Sequence, residues 1–227
     1  MKKLMVMTTL ALCPFVAYSK GGGTSASNRS GKHFDVSLQL IGFIIFPVPA
    51  QGLAVGYYLS SDTEIELEYT TGSLSFSDKA DYVDPEQNKR TSDTVVTSTT
   101  YGAKLKYFLG NSFYTNLGII SRKIALDDTS TYVVDGEVIY EDEKLYFSVT
   151  SLALDISIGN KWQFDNFNIG CDWFGALVPI SVISTEDNFE EKLGTDNKAV
   201  EDFKSSNKSN GMTTSYQMLK IYVGSSF

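Results

Sequence analysis

The sequence predicts an all-β fold, an eight-stranded antiparallel up-and-down transmembrane β-barrel with short periplasmic turns and long extracellular loops. Three observations carry that reading. Apolar and polar residues alternate with period two along most of the 227-residue chain. The tight turns keep one apolar face in phase, and short and long connections alternate strictly. Composition sets outer bounds. The chain holds 27 acidic against 19 basic residues, which opposes a nucleic-acid binder's need for a basic face. A single histidine and two cysteines starve most catalytic schemes and exclude a disulfide framework.

Residues 1–19 read as a signal peptide: Lys2 and Lys3 precede an apolar run from Leu4 to Val16, and Ala17 and Ser19 suit a cleavage site. That run falls well short of the roughly 20 residues a spanning helix needs. Residues 20–33, with Gly21, Gly22 and Gly23, read as a Gly/Ser-rich periplasmic linker, and residues 34–227 as the barrel. Removal of the leader would leave Cys171 alone, without a disulfide partner.

The first strand places Phe34, Val36, Leu38 and Leu40 on one face. The second carries Leu53, Val55, Tyr57 and Leu59, and the third Ile65, Leu67 and Tyr69 between Glu64, Glu66 and Glu68. Tyr101, Ala103, Leu105, Tyr107 and Leu109 mark the fourth, with Lys104 and Lys106 between them; Phe113, Leu117 and Ile119 mark the fifth. The sixth shows Leu152, Leu154, Ile156 and Ile158, the seventh Phe167, Ile169, Cys171, Trp173 and Leu177, and the eighth Leu219, Ile221 and Val223.

Turn geometry tests those faces, because a one-residue slip flips every side chain. A turn at Ser61 to Thr63 pairs Leu59 with Ile65 and Tyr57 with Leu67. One at Gly110 to Ser112 pairs Leu109 with Phe113 and Leu105 with Leu117. Asp165-Asn166 pairs Phe164 with Phe167, Trp162 with Ile169 and Ile158 with Trp173. Every charge on these strands then falls on the opposite face, including Asp35, Arg122, Asp155, Asp172 and Lys220.

Alternation does not say which face is inside. A soluble lipocalin-like barrel would turn the apolar face inward, a membrane barrel outward. The short turns alternate with long connections at roughly residues 72–97, 123–144 and 181–210, which is the membrane-barrel habit. Aromatic residues also gather beside the short turns, as an interfacial girdle would: Trp162, Phe164 and Phe167 at one, Tyr107 and Phe113 at another.

With its leader, its alternating strands and a final strand reading Leu219 to Phe227, the chain resembles the small outer-membrane β-barrels of OmpA/OmpX type over about residues 34–227. The resemblance implies the outer membrane of a Gram-negative bacterium. It also implies an assembly signal at Leu219, Ile221, Val223 and Phe227, read by the barrel-assembly machinery. Ser225 departs from the apolar residue usual in that pattern.

No phosphate loop or metal-ligand spacing appears, so no cofactor or metal is expected, and His33 lies at the periplasmic foot, away from an outward-facing site. The sequence therefore reads as a non-enzyme. Its lumen is expected to be closed by ion pairs among Glu64, Glu66, Glu68, Asp155 and Asp172 and Lys104, Lys106, Arg122 and Lys220, since unpaired charge in a narrow interior is costly. Once Lys2 and Lys3 leave with the leader, the net charge of the chain sits in the three long loops. Those acidic loops favour a structural or surface-interaction role, with an extracellular ligand or divalent cations as partners beside outer-membrane lipid. The alternative is a narrow channel for small ions or water. In the fifth and sixth strands Asp135-Gly136 suits a type I′ turn, giving Val134–Glu137, Val133–Val138 and Tyr132–Ile139. One unbroken register would continue through Leu126–Leu145, Asp127–Lys144, Ile119–Leu152 and Leu117–Leu154 to Phe113–Ile158, although Asp128 would face Glu143.

Overall fold

The computed structural model describes residues 24–44, 50–78, 89–134, 137–188, 205, 209 and 212–227. The leader and the Asp135-Gly136 apex lie outside the described residues. Eight antiparallel strands form a closed barrel in sequence order, with β1 meeting β8. They are β1 (Phe34–Ile44), β2 (Ala50–Ser60), β3 (Thr63–Asp78), β4 (Lys89–Phe108), β5 (Phe113–Val134), β6 (Glu137–Phe164), β7 (Phe167–Asp187) and β8 (Ser215–Ser226). A short helix, α1 (Ser25–Arg29), precedes them.

Closure removes every edge within the membrane, where an unpaired peptide group would have no water to bond. The apolar residues of β1 to β5 face outward as the alternation requires: Leu38 is 55% exposed, Leu67 61% and Leu117 56%. This is an inside-out molecule. An aromatic belt rings its periplasmic rim, where Phe34 meets Tyr57 edge-on at 5.3 Å and Phe164 stacks with Phe167 at 6.4 Å.

The strands differ greatly in length. β1, β2 and β8 hold 11, 11 and 12 residues, close to the roughly 9–11 that cross a bilayer. β5 holds 22 and β6 28, and they pair from Phe113–Asn160 to Val134–Glu137. The hairpin thus rises about 50 Å along the strand above Ile119, at about 3.3 Å per residue.

Local registers differ from the expected ones in three places. Leu105 pairs with Leu117 and Trp162 with Ile169, as the turns require. At the β2–β3 turn, however, Tyr57 pairs with Ile65 and Ser60 with Thr63, so the turn is Ser61-Asp62 and the register lies two residues from the expected one. In β5–β6 the pairs nearest the apex are Val134–Glu137 and Val133–Val138. Below them Tyr132 meets Tyr140, Leu126 meets Phe147, Ile119 meets Leu154, Leu117 meets Ile156 and Phe113 meets Asn160. Two single-residue irregularities near Ser130 to Val133 shift the register by two. An even shift preserves which face each side chain takes, so the alternation was blind to it.

The third departure changes a face. Ile158 pairs with Phe174 instead of Trp173, because an irregularity next to Gly159 inserts one residue into β7. From there to Ile180 the even residues point outward: Phe174 is 58% exposed and Ile180 50%, whereas Leu177, expected to face lipid, is fully buried with Ile120 and Ala153. Cys171, also expected on the lipid face, is buried beside the same irregularity. In β8 the matching break falls at Leu219, whose φ of 52° lies in the left-handed region; Met218 and Tyr216 face outward above it. Leu219 therefore leaves the line of Ile221, Val223 and Phe227.

Candidate functional site: an ion-pair ladder in the lumen

Many inward positions of the membrane-spanning segments are charged or polar, while the outward ones facing lipid are apolar. In a barrel of eight strands the interior is just filled by side chains, so these groups have to satisfy one another. The lysines and carboxylates do so in layers. Nearest the periplasm, Lys161 Nζ lies 3.0 Å from both Asp35 Oδ1 and Glu64 Oε1. Asp35 also accepts from Ser37 Oγ at 2.6 Å and Ser226 Oγ at 2.7 Å.

In the next layer Lys106 Nζ lies 2.7 Å from Glu66 Oε2, with the rings of Tyr114 and Tyr222 at 4.8 and 5.2 Å. The Tyr114 hydroxyl donates to Asp172 and sits 3.0 Å from the Tyr222 hydroxyl. Two glycines make room for these rings: a Cβ on Gly170 would overlap Tyr222, and one on Gly159 would lie 2.7 Å from the Tyr114 oxygen. Farther out, Lys104 bridges Asp155 at 2.6 Å and Glu68 at 3.0 Å, while Lys220 joins Glu68 and lies 3.5 Å from Asp172.

The expected lumen residues Glu64, Glu66, Glu68, Lys104, Lys106, Asp155, Asp172 and Lys220 are thus brought together, each nine-tenths or more buried. Arg122 departs from the expected pairing with these acids. It is buried at the outer end of the lumen, where it donates to Ser215 Oγ and, at 3.2 Å, to the Thr213 carbonyl. Two members lie outside the expected set: Asp35, expected on the polar face without a partner, and Lys161. Lys161 alternates with outward Trp162 and Phe164, so extending the sixth strand to its Asp165-Asn166 turn would have placed it inside.

The pairs themselves follow from barrel twist. Glu66 stands directly opposite Lys104, and Glu64 opposite Lys106, yet Lys106 bonds Glu66 and Lys104 bonds Glu68. Long side chains on twisted strands reach the diagonal neighbour two residues along. The direct neighbour Glu64 is left for Lys161 across the lumen. Voids of about 10 Å³ near Glu68 and Lys220 each have room for one water.

A closed ring of strands, an apolar outer band and an ionic interior define a small transmembrane β-barrel. No family model and no curated protein matches the chain. Among solved structures it is similar to a major outer membrane protein from Thermus thermophilus, with 11% identity over 86% of this chain and 98% of that one, TM-score 0.49. It is similar also to CarO2 of Acinetobacter baumannii, with 14% identity over 86% and 98%, TM-score 0.47. Ail, the attachment invasion locus protein of Yersinia pestis, aligns at 8% identity over 86% and 97%, TM-score 0.45. At such identities the likeness concerns architecture alone.

Proposed function

We propose that this chain is a non-conducting, non-enzymatic scaffold of the cell surface: a barrel whose lumen is closed by the ion-pair ladder and whose elongated strands present acidic loops to the outside. One observation carries the reading. The charged side chains of the described lumen bond one another across its width, which favours a closed interior over the narrow-channel alternative. Effort in the sequence goes instead into β3 to β7, which continue well past the bilayer.

The acidic loops suit a cationic partner, either divalent cations or a basic patch on another molecule, and repel polyanions. Ile221 and Val223 of β8 and Phe227 just past its end are proposed as the element read by the barrel-assembly machinery; Leu219 sits at the strand irregularity and contributes less. Single-channel recording on the refolded protein in planar bilayers tests the scaffold reading. No stable conductance is expected, and large, long-lived open events would overturn it. Calcium titration of the refolded protein tests the loops: saturable binding abolished by high salt supports a cationic partner, and absence of binding removes divalent cations from consideration.

A further inference from the structure

The lowest layer of the ladder is drier than its position allows. Asp35 and Glu64 are each the second residue of their strands, and Lys161 lies close to the end of β6, so all three stand at the periplasmic rim. All three are nevertheless fully buried. An ion pair at an open barrel mouth would be hydrated and worth little; sealed from water it becomes a buried pair.

The seal is α1. Thr24 Oγ1 caps the helix by accepting from the Ser27 amide at 3.2 Å. From there the segment bonds all three periplasmic turns. Arg29 Nε donates to the Ser61 carbonyl at 2.8 Å and its Nη1 to the Asn111 carbonyl at 2.9 Å. The Ala26 amide donates to Asn111 Oδ1 at 3.1 Å, and Asn28 Nδ2 to the Gln163 carbonyl at 2.8 Å. Lys32 reaches Asn166 and lies 3.8 Å from Asp165. A segment attached to turns on three sides of a barrel has to cross its opening.

The Arg29 side chain fills the middle. It is 1% exposed, and its guanidinium carbon sits 3.7 Å above the Phe108 ring, which packs with Tyr58 and Tyr114 into an aromatic floor. Lys161 Nζ lies 5.1 Å from the Tyr58 ring. Arg29 Nη2 is buried without an acceptor, a cost that a mere surface tether would avoid by leaving the group in water. A stretch that composition marks as a linker therefore carries a group with a definite seat.

We propose that α1 is a stopper for the periplasmic mouth and that Arg29 is its latch, keeping water from the Asp35–Lys161–Glu64 layer. The test is chemical modification of the protein in detergent micelles with a water-soluble carbodiimide and a small amine, read residue by residue by mass spectrometry. In Arg29→Ala, Glu64 and Asp35 are expected to react about tenfold faster than in the parent, the scale of losing a desolvated cation–π contact. Arg29→Lys falls between them, and exposed Glu186 reacts at one rate in all three. Equal Glu64 rates in parent and Arg29→Ala, both shown folded by heat-modifiable gel migration, would overturn the proposal. Should Arg29→Ala fail to fold, amide exchange in the parent decides. The Asn28 and Ser30 amides, bonded to the Thr24 and Ala26 carbonyls, are expected to be protected; exchange at the free-peptide rate would mean that α1 is not seated.

Discussion

The long strands, β3 to β7, obey opposite rules in their lower and upper halves. Within the membrane, β3 turns Ile65, Leu67 and Tyr69 outward and Glu64, Glu66 and Glu68 inward. Beyond the outward Tyr69–Tyr101 pair comes a hydroxyl belt, with Thr70 bonding Thr100 inside and Thr71 bonding Thr99 outside at 3.2 Å. Above it the register runs on unbroken, but the chemistry reverses: Thr71, Ser73 and Ser75 are exposed outside while Leu74 and Val96 are half-buried inside. On β5 and β6 the inward side becomes Ile124, Phe147 and Val149, the last two buried, with Leu145 and Val182 packed against them. Lipid demands an apolar exterior and water a polar one, so a strand crossing the boundary keeps its geometry and exchanges its faces. The protein thus holds two cores of opposite kind, an ionic one in the bilayer and an apolar one above it.

The largest effect is expected where the ionic core is broken. Glu68→Ala leaves Lys104 and Lys220 short of a carboxylate in a dry interior and should cost about 3–5 kcal/mol. Urea unfolding in lipid vesicles, followed by the fluorescence of Trp162 and Trp173, measures it; a loss under 1 kcal/mol would show that water reaches the ladder. In the apolar core the corresponding change is Phe147→Ala, at about 3–5 kcal/mol. Protease sensitivity of the upper strands should rise while the membrane-embedded part stays folded, and a uniform loss would mean that the two cores are one cooperative unit.

A charge scan sharpens the boundary. Arginine at Ile156 faces lipid and should cost about 2–4 kcal/mol, whereas at exposed Ser73 or Ser75, outward but above the bilayer, it should be tolerated. Equal penalties at both heights would place the membrane edge above Tyr69. The smallest effect concerns the exposed pair of Lys123 and Glu186, 3.1 Å apart, to which Tyr146 and Ser148 also donate. Hydrogen bonding to Lys123 holds the Glu186 carboxyl below its ordinary pKa, and the same contact raises that of Lys123. The pair therefore persists between those limits, is lost as pH falls through the lowered Glu186 value, and is lost again as pH rises through the raised Lys123 value. Carboxyl NMR titration should return Glu186 towards the ordinary carboxylate value in Lys123→Ala with hardly any change in stability, because the pair lies at the water-facing surface.

Much of this was written in the chain itself. Period-two alternation is a local property, and together with the Gly110 to Ser112 and Asp165-Asn166 turns it placed the outward faces of β1 to β6 and put Glu64, Glu66, Glu68, Lys104 and Lys106 inside. The exchange of faces above Tyr69 was legible too, in the even positions of Leu74, Val96 and Ile124, but only to a reader who let the preferred face change with depth. What alternation could not carry was anything depending on an extra residue or on distance across the lumen. The irregularity opposite Gly159 sent Leu177 inward and Phe174 outward, and no local pattern marks a bulge in an otherwise apolar run. Which lysine meets which acid depends on strand tilt and on facing walls far apart in sequence, so Lys161 joins Asp35 and Glu64 only once the ring has closed. The seat of Arg29 is of the same kind: it exists only when three separate turns have been gathered at one end of the barrel.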